Sequence, residues 1–213
     1  MTSPPPDPVV ITAQSYETDA RSWHEAHLDE VRAVSRADSY DRFASYLAPG
    51  SLVLDLGCGT GLDAPPLAAR GLRLLGLDIS VEMLRIARSL LPLVGRLLQG
   101  EMHALPLADG SVDAVVAVGS IHHLPKGEAG HAVREVVRVL RPGGVFAAAA
   151  ERGSFEGFVA EQEGVAGRRW YAFYEPDEFE RVFTTAGLAV IDRVVGGPSA
   201  HSAGFVALTG RKP

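Results

Sequence analysis

The chain has 213 residues, of which 46% are hydrophobic and 22% charged, and a formal net charge of −6. That length supplies one good core and little beyond it, and the composition is that of an ordinary globular protein. An acidic balance with no Lys/Arg-rich block argues against nucleic acid and anionic membranes as partners; the charge itself serves solubility.

The N-terminal stretch MTSPPPDPVVIT has neither a basic start nor an apolar h-region, so it does not read as a signal peptide. Its prolines predict a flexible or polyproline arm over residues 1–12. From Ala13 to Leu47 the pattern is helical, with Tyr16, Trp23, Phe43, Tyr46 and Leu47 at mixed i+3/i+4 spacing. Ala48 to Gly50 stops this helical cap. The lone cysteine, Cys58, makes an internal disulfide impossible and fits a cytoplasmic location. No apolar stretch reaches the length of a membrane span.

From Ser51 the rhythm changes. SLVLDL is a short apolar run without alternation, as expected of a parallel strand buried on both faces. LDAPPLAAR predicts a helix stopped by Gly71, and LRLLGLD a second strand. SVEMLRIARSLL predicts a helix with Ser80 as its N-cap. VGRLLQG is a weaker strand and SVDAVVAVGS a strong one. KGEAGHAVREVVRVL predicts a helix with Val133, Val136, Val137 and Leu140 on one face. Arg141 to Gly144 reads as a turn before a fifth strand, VFAAAAE. Residues 152–174 break the rhythm with glycines and charges and read as a variable, substrate-facing insertion. EPDEFERVFTTAG is a last helix, and LAVIDRVVGG and SAGFVALTG are two closing strands. Alternating strands and helices predict a doubly wound α/β fold, a mostly parallel sheet with right-handed crossovers. The last two strands lack a helix between them, so the final strand runs reversed. Residues 13–213 form a single domain.

The chemistry gathers around the turn Gly57-Cys58-Gly59-Thr60-Gly61. It departs from the dinucleotide fingerprint, because position 62 is Leu. Asp55, at the end of the first strand, would repel a pyrophosphate and suits a ligand with an ammonium group. Asp78 ends the second strand about 20 residues on, where a carboxylate accepts ribose hydroxyls. The ligand these residues describe is a nucleoside with a cationic, amino-acid-like tail and no phosphate. S-adenosylmethionine meets that description, and a nicotinamide dinucleotide does not.

At this point the sequence resembles the class I S-adenosylmethionine-dependent methyltransferases, most closely the branch containing ubiquinone/menaquinone-type and many small-molecule enzymes. The likeness covers roughly Tyr40 to Leu188. It rests on VLDLGCGTG, on LGLDIS followed by Met83, on GEMHALPLADGSVDAVV, on SIHHL and on VLRPGG. The resemblance implies a Rossmann-like sheet of seven strands with N-terminal helices, the cofactor S-adenosylmethionine, and the product S-adenosylhomocysteine. It implies that Asp55 lies near the methionine ammonium, that Gly57, Cys58, Gly59 and Gly61 underlie the methionine chain, and that Asp78 takes the ribose. It further implies that Ile79 and Met83 pack on adenine, that Glu101 and Met102 meet its edge, and that Gly119 and Ser120 face the ammonium. Glu101 departs from the Asp more usual there. The resemblance also implies that Tyr16 closes over the methionine end, as N-terminal helices do in this branch.

Methyl transfer from a sulfonium needs alignment, exclusion of water and sometimes a base. His122 and His123, after the fourth strand, are the candidate bases. Acceptor contacts are expected from Trp23, Arg169, Trp170, Tyr171 and Tyr174. No His, Cys or carboxylate spacing suggests a metal. The expected acceptor is a small molecule, acted on by a monomer or homodimer. A protein, peptide or nucleic-acid acceptor, or a non-catalytic cofactor-binding protein, is the alternative.

Overall fold

The structure is a computed structural model that describes residues 7–32, 37–90, 96–162, 165–198 and 204–213. The first six residues of the expected arm, and residues 199–203 between the closing strands, lie outside the described residues. In chain order the elements are α1 (Pro8–Arg32), α2 (Ala37–Ala44), β1 (Leu52–Leu56), α3 (Ala64–Ala68), β2 (Arg73–Asp78), α4 (Val81–Leu90) and β3 (Arg96–Gln99). There follow β4 (Val112–Val118), a 3-10 turn at Ile121–His123, α5 (Lys126–Val139), β5 (Leu140–Glu151), β6 (Glu156–Gln162), β7 (Val165–Ala172), α6 (Pro176–Thr185), β8 (Ala189–Val195) and β9 (Phe205–Arg211).

Seven strands form one sheet in the order β3-β2-β1-β4-β5-β9-β8. β1 runs parallel to β2 and β4, β2 to β3, and β4 to β5. β9 is antiparallel to both β5 and β8, giving the reversed final strand. The order turns back between β1 and β4, which opens a crevice at the carboxyl ends of those strands.

The central strands are apolar on both faces because both are covered. Val53, Ala114, Val116 and Val145 pack with Tyr40, Phe43 and Leu67 of the α2/α3 layer. Leu54, Leu56, Val115 and Phe146 pack on the other side with Val133, Val136, Phe179 and Phe183 of α5 and α6. The helix starts have local causes. The Ser80 hydroxyl accepts the Met83 N–H at 3.2 Å ahead of α4. Glu175 and Glu178 form a reciprocal capping box at α6, with Pro176 at its first turn.

Three features differ from the sequence expectation. α1 begins at Pro8, so residues 8–12 are helical rather than a loose arm. The cause is local: the Asp7 carboxylate accepts the Val9 N–H at 2.8 Å, and proline suits the first helical position. β5 begins at Leu140 and takes in the segment read as the Arg141–Gly144 turn. The insertion at 152–174 contains a two-stranded antiparallel sheet, β6–β7, with Phe158 opposite Trp170 and Val159 opposite Arg169. Among the described residues no helix is long and apolar enough to cross a membrane.

Candidate active site

The turn after β1 forms one wall of a cavity of about 230 Å³ at the carboxyl ends of the strands. Its shape is set by backbone. Gly57, Gly59 and Gly61 all have positive φ (75°, 52° and 78°), where side chains are disfavoured. The Gly57 and Cys58 N–H groups donate to the Leu77 carbonyl at 2.7 and 3.0 Å, tying the turn to β2. The Ser120 hydroxyl donates to the Leu56 carbonyl at 2.6 Å, tying the end of β4 to the end of β1. A Cβ on Gly57 would lie 2.4 Å from the Ser120 Cβ, so only glycine fits.

Acids surround this turn. Asp78 accepts the Gly59 N–H on one oxygen at 2.8 Å and the Ser80 N–H on the other at 2.9 Å. Asp78 also lines the cavity, where its carboxylate can accept a further hydrogen bond. Burial raises the Asp78 carboxyl, against those backbone donors, which favour its ionised form. Asp55 is buried beneath the turn, and one of its oxygens has no hydrogen-bond partner among the described residues. Burial, then the neighbouring Asp63 and Asp78, hold its carboxyl well above the usual range. Asp63 itself lines the cavity and accepts the Tyr40 hydroxyl. A buried, unpartnered carboxylate flanked by two more is a site that a cation completes. Ile79 and Met83 give the cavity an apolar side, with Gly100, Glu101 and Met102 at its rim.

Histidines and aromatics build the opposite end. The His123 Nδ1 lies 2.7 Å from the Trp170 carbonyl, and its Nε2 lies 2.7 Å from the Tyr16 hydroxyl. His122 is buried, and its Nδ1 has no hydrogen-bond partner among the described residues. Burial first, then His123 and Arg169, hold its imidazole well below the usual range, so it is neutral. Tyr171 packs against both imidazoles, at 5.1 Å from His122 and 4.7 Å from His123 between ring centroids.

The roof is α1 together with β7. The Thr12 hydroxyl accepts the Trp170 N–H at 2.9 Å, and the Ser15 hydroxyl donates to the Arg168 carbonyl at 2.8 Å. These bonds satisfy backbone groups at the edge of β7 that would otherwise be exposed. On its other side α1 reaches α4: Glu17 accepts the Ser80 hydroxyl at 2.7 Å and the Glu82 N–H at 3.2 Å. Trp23, stacked on His27 with centroids 4.3 Å apart, faces Gly59 from above.

Of the residues singled out from sequence, Tyr16, Trp23, Gly57, Cys58, Gly59, Asp78, Ile79, Met83, Glu101, Met102, Gly119, Ser120, His122, His123 and Tyr171 line the cavity. Asp55 and Gly61 lie behind the turn. Arg169 lies behind the tyrosines, stacked over the Tyr16 and Tyr171 rings at 5.4 and 5.8 Å. Trp170 turns its ring onto Phe158 and contributes its carbonyl instead. Tyr174 is in the core against Phe179, with the Lys126 ammonium over its ring. The lining also holds His103, inside a quoted motif but given no role from sequence, and Asp63 and Glu151, for which the sequence carried no motif. Among the described residues no group of His, Cys, Asp and Glu is arranged to hold a metal.

Residues 54–148 match the family model described as a methyltransferase domain. Demethylmenaquinone methyltransferase from Renibacterium salmoninarum is 34% identical over 124 residues, which are 58% of this chain and 45% of that protein. The chain spans about half the length, or less, of the curated relatives it matches. Among solved structures, magnesium protoporphyrin IX methyltransferase from Synechocystis, with bound S-adenosylmethionine, superposes with a TM-score of 0.74 at 16% identity, covering all of both chains. The 1,6-didemethyltoxoflavin N1-methyltransferase of Burkholderia thailandensis superposes with a TM-score of 0.66 at 20% identity, covering 100% of this chain and 93% of that one. The matched segment, its sheet order and its acid-flanked glycine turn are similar to those of methyltransferase domains that use S-adenosylmethionine. The cavity fits that cofactor: Asp78 lines it with a carboxylate that can accept from ribose, and one oxygen of Asp55, beneath the turn, lacks a partner among the described residues.

Proposed function

We infer that the protein transfers a methyl group from S-adenosylmethionine to a small-molecule acceptor in the cytoplasm, leaving S-adenosylhomocysteine. The observation that carries this reading is the enclosure of the cavity: an acid-floored turn below, and α1 with β7 above. A roof pinned on both sides suits a small acceptor, and the net charge of −6 disfavours nucleic acid. Two structural neighbours, named as methyltransferases of magnesium protoporphyrin IX and of 1,6-didemethyltoxoflavin, support the same acceptor class.

In this reading the bound cofactor supplies an electrophilic methyl group on a sulfonium, whose leaving group needs no protonation. The chain's own residues do the rest. Asp55 and the carbonyls near Gly119 hold the ammonium, and Asp78 holds the ribose. Ile79, Met83, Glu101 and Met102 receive the adenine. Tyr16, Trp23, His122, His123 and Tyr171 shape the acceptor end and exclude water. Orientation of this kind supplies on the order of 7–11 kcal/mol in favourable cases.

The test is calorimetric titration of the wild type and Asp78→Ala with S-adenosylmethionine and S-adenosylhomocysteine. The wild type binds both. The variant loses about 1.5–3 kcal/mol, the scale of hydrogen bonds to a charged group. Labelled methyl donor then reports incorporation into a small-molecule pool rather than into protein or nucleic acid. A wild type that binds neither compound overturns the reading.

A further inference from the structure

The acceptor end of the cavity contains a directed chain of hydrogen bonds. A backbone carbonyl only accepts, so the bond between His123 and the Trp170 carbonyl puts a proton on Nδ1. His123 Nε2 then carries a lone pair. The Tyr16 hydroxyl, 2.7 Å from it, is therefore the donor of that bond. The Arg169 guanidinium approaches the same hydroxyl oxygen, with Nη1 at 3.4 Å. Arg169 is 1% exposed, so its charge acts on Tyr16 with little water to screen it. Tyr16 and His123 both line the cavity.

His122 is differently placed. Its Nδ1 is buried without a partner among the described residues, so a second proton on this ring would create an unpaired buried charge. His123 has no such difficulty. A proton arriving at Nε2 meets the Tyr16 oxygen, and the proton already on Nδ1 meets the Trp170 carbonyl.

We propose that Tyr16 is the residue that receives the acceptor's proton, relaying its own to His123, and that the acceptor is a phenol-like hydroxyl or an acidic ring N–H. This rests on the methyl-transfer reading above. The acceptor atom forms the bond to the methyl carbon while the carbon–sulfur bond breaks and its electron pair goes to sulfur. The acceptor's proton passes to the Tyr16 oxygen as the Tyr16 hydroxyl proton passes to His123 Nε2. The positive charge lost at sulfur is thus regained on the His123 imidazolium, and no further reactant is needed. Tyr16 is the catalytic residue; His123 and Arg169 are positioning residues that act through it. A neutral imidazole is a weak base, so the relay matches acceptors that are weak acids and not aliphatic alcohols.

Two experiments test this. The first needs no acceptor: nitrogen-15 imidazole NMR of the protein with S-adenosylhomocysteine. His123 is expected as the Nδ1–H tautomer, and Tyr16→Phe, by removing the Nε2 partner, shifts the Nε2 resonance. An Nε2–H tautomer, or an Nε2 resonance indifferent to Tyr16→Phe, overturns the relay. The second compares 4-methylphenol, protonated at mildly alkaline pH, with 4-nitrophenol, mostly ionised there, at saturating methyl donor. Tyr16→Phe slows the protonated phenol by roughly 10²-fold or more and the ionised one far less. Equal losses on both phenols reduce Tyr16 to a wall residue and overturn the proposal. Turnover of neither phenol by a wild type that binds the donor overturns the acceptor class. A wild type that binds no donor sinks the parent reading instead, and the relay then stands or falls on the tautomer alone.

Discussion

The floor and the roof of the cavity are built by different means. The floor is strand ends and a glycine turn held by backbone hydrogen bonds, Gly57 and Cys58 to Leu77, with Ser120 bridging to Leu56. The roof is a helix and a two-stranded sheet held to each other by the side chains of Thr12, Ser15, Tyr16 and His123. A floor fixed by backbone keeps one geometry for a constant cofactor. A roof fixed by side chains changes with a few substitutions, which suits the part that meets a variable acceptor.

The largest effect expected is on the floor. Gly57→Ala puts a Cβ 2.4 Å from the Ser120 Cβ at a φ of +75°. The left-handed backbone costs about 1–2 kcal/mol, and the overpacking adds about 1–3 kcal/mol. Gly119 has a similar φ of +64° with nothing near its would-be Cβ, so Gly119→Ala should lose only the backbone part. Denaturant unfolding of the two variants checks this. Equal losses would show that the close approach to Ser120 is not what constrains the floor.

Next in size is a trade between stability and binding at Asp55. Its folded-state pKa is raised well above the usual carboxylate range by burial, then by Asp63 and Asp78. A raised acid contributes stability in full below its unfolded value and loses it as pH rises through the folded value. The cofactor-free protein should therefore lose stability as pH rises from about 3.8 through that raised value. Asp55→Asn removes that slope and gains roughly 1–2 kcal/mol at neutral pH, since a neutral amide costs less to bury than a carboxylate. The same variant binds S-adenosylmethionine about tenfold or more weakly, having lost a charged partner for the ammonium. Thermal melts across pH, with and without cofactor, test both halves. A variant less stable than wild type at neutral pH would show that Asp55 ionises readily and that the floor carries no stored cost.

The same division explains what was legible in the sequence. The floor was readable because each of its parts is forced locally. An apolar run covered on two faces must be a central strand, a G-x-G-x-G turn needs positive φ, and an acid at a strand end must meet a ligand or a donor. Ser80 announced the start of α4 for a similar reason. The roof was only partly readable: some of its residues could be named, but not its strands, which are fixed by partners far away in the chain. β6 and β7 carry glycines and charges that read only as a variable, substrate-facing insertion; they are strands because they pair with each other and because α1 caps the edge of β7. Alternation along β7 and the turn after it divides the aromatic run: Tyr171 faces the cavity, Trp170 turns to Phe158, and Tyr174 goes to the core. Asp63 and Glu151 fell outside every motif and reach the cavity only through the fold. Asp7 was the one local signal for the early start of α1, hidden among prolines that suggested an extended arm.

The smallest effect expected lies in the roof. Thr12 accepts the Trp170 N–H at 2.9 Å and donates to the Pro8 carbonyl at 2.8 Å. Thr12→Val keeps the shape but leaves the Trp170 N–H without its acceptor, a loss of about 0.5–1.5 kcal/mol. If roof and floor are separate units of stability, that loss stays local. Amide hydrogen exchange should then quicken at Trp170 and along the first half of α1, before the break in helical geometry at Asp19, while the amides of β1 and β4 keep their protection. Equal loss of protection in β1 and β4 would mean that the side-chain bonds of the roof hold up the floor as well. The acceptor end would then no longer be free to change independently of the cofactor end.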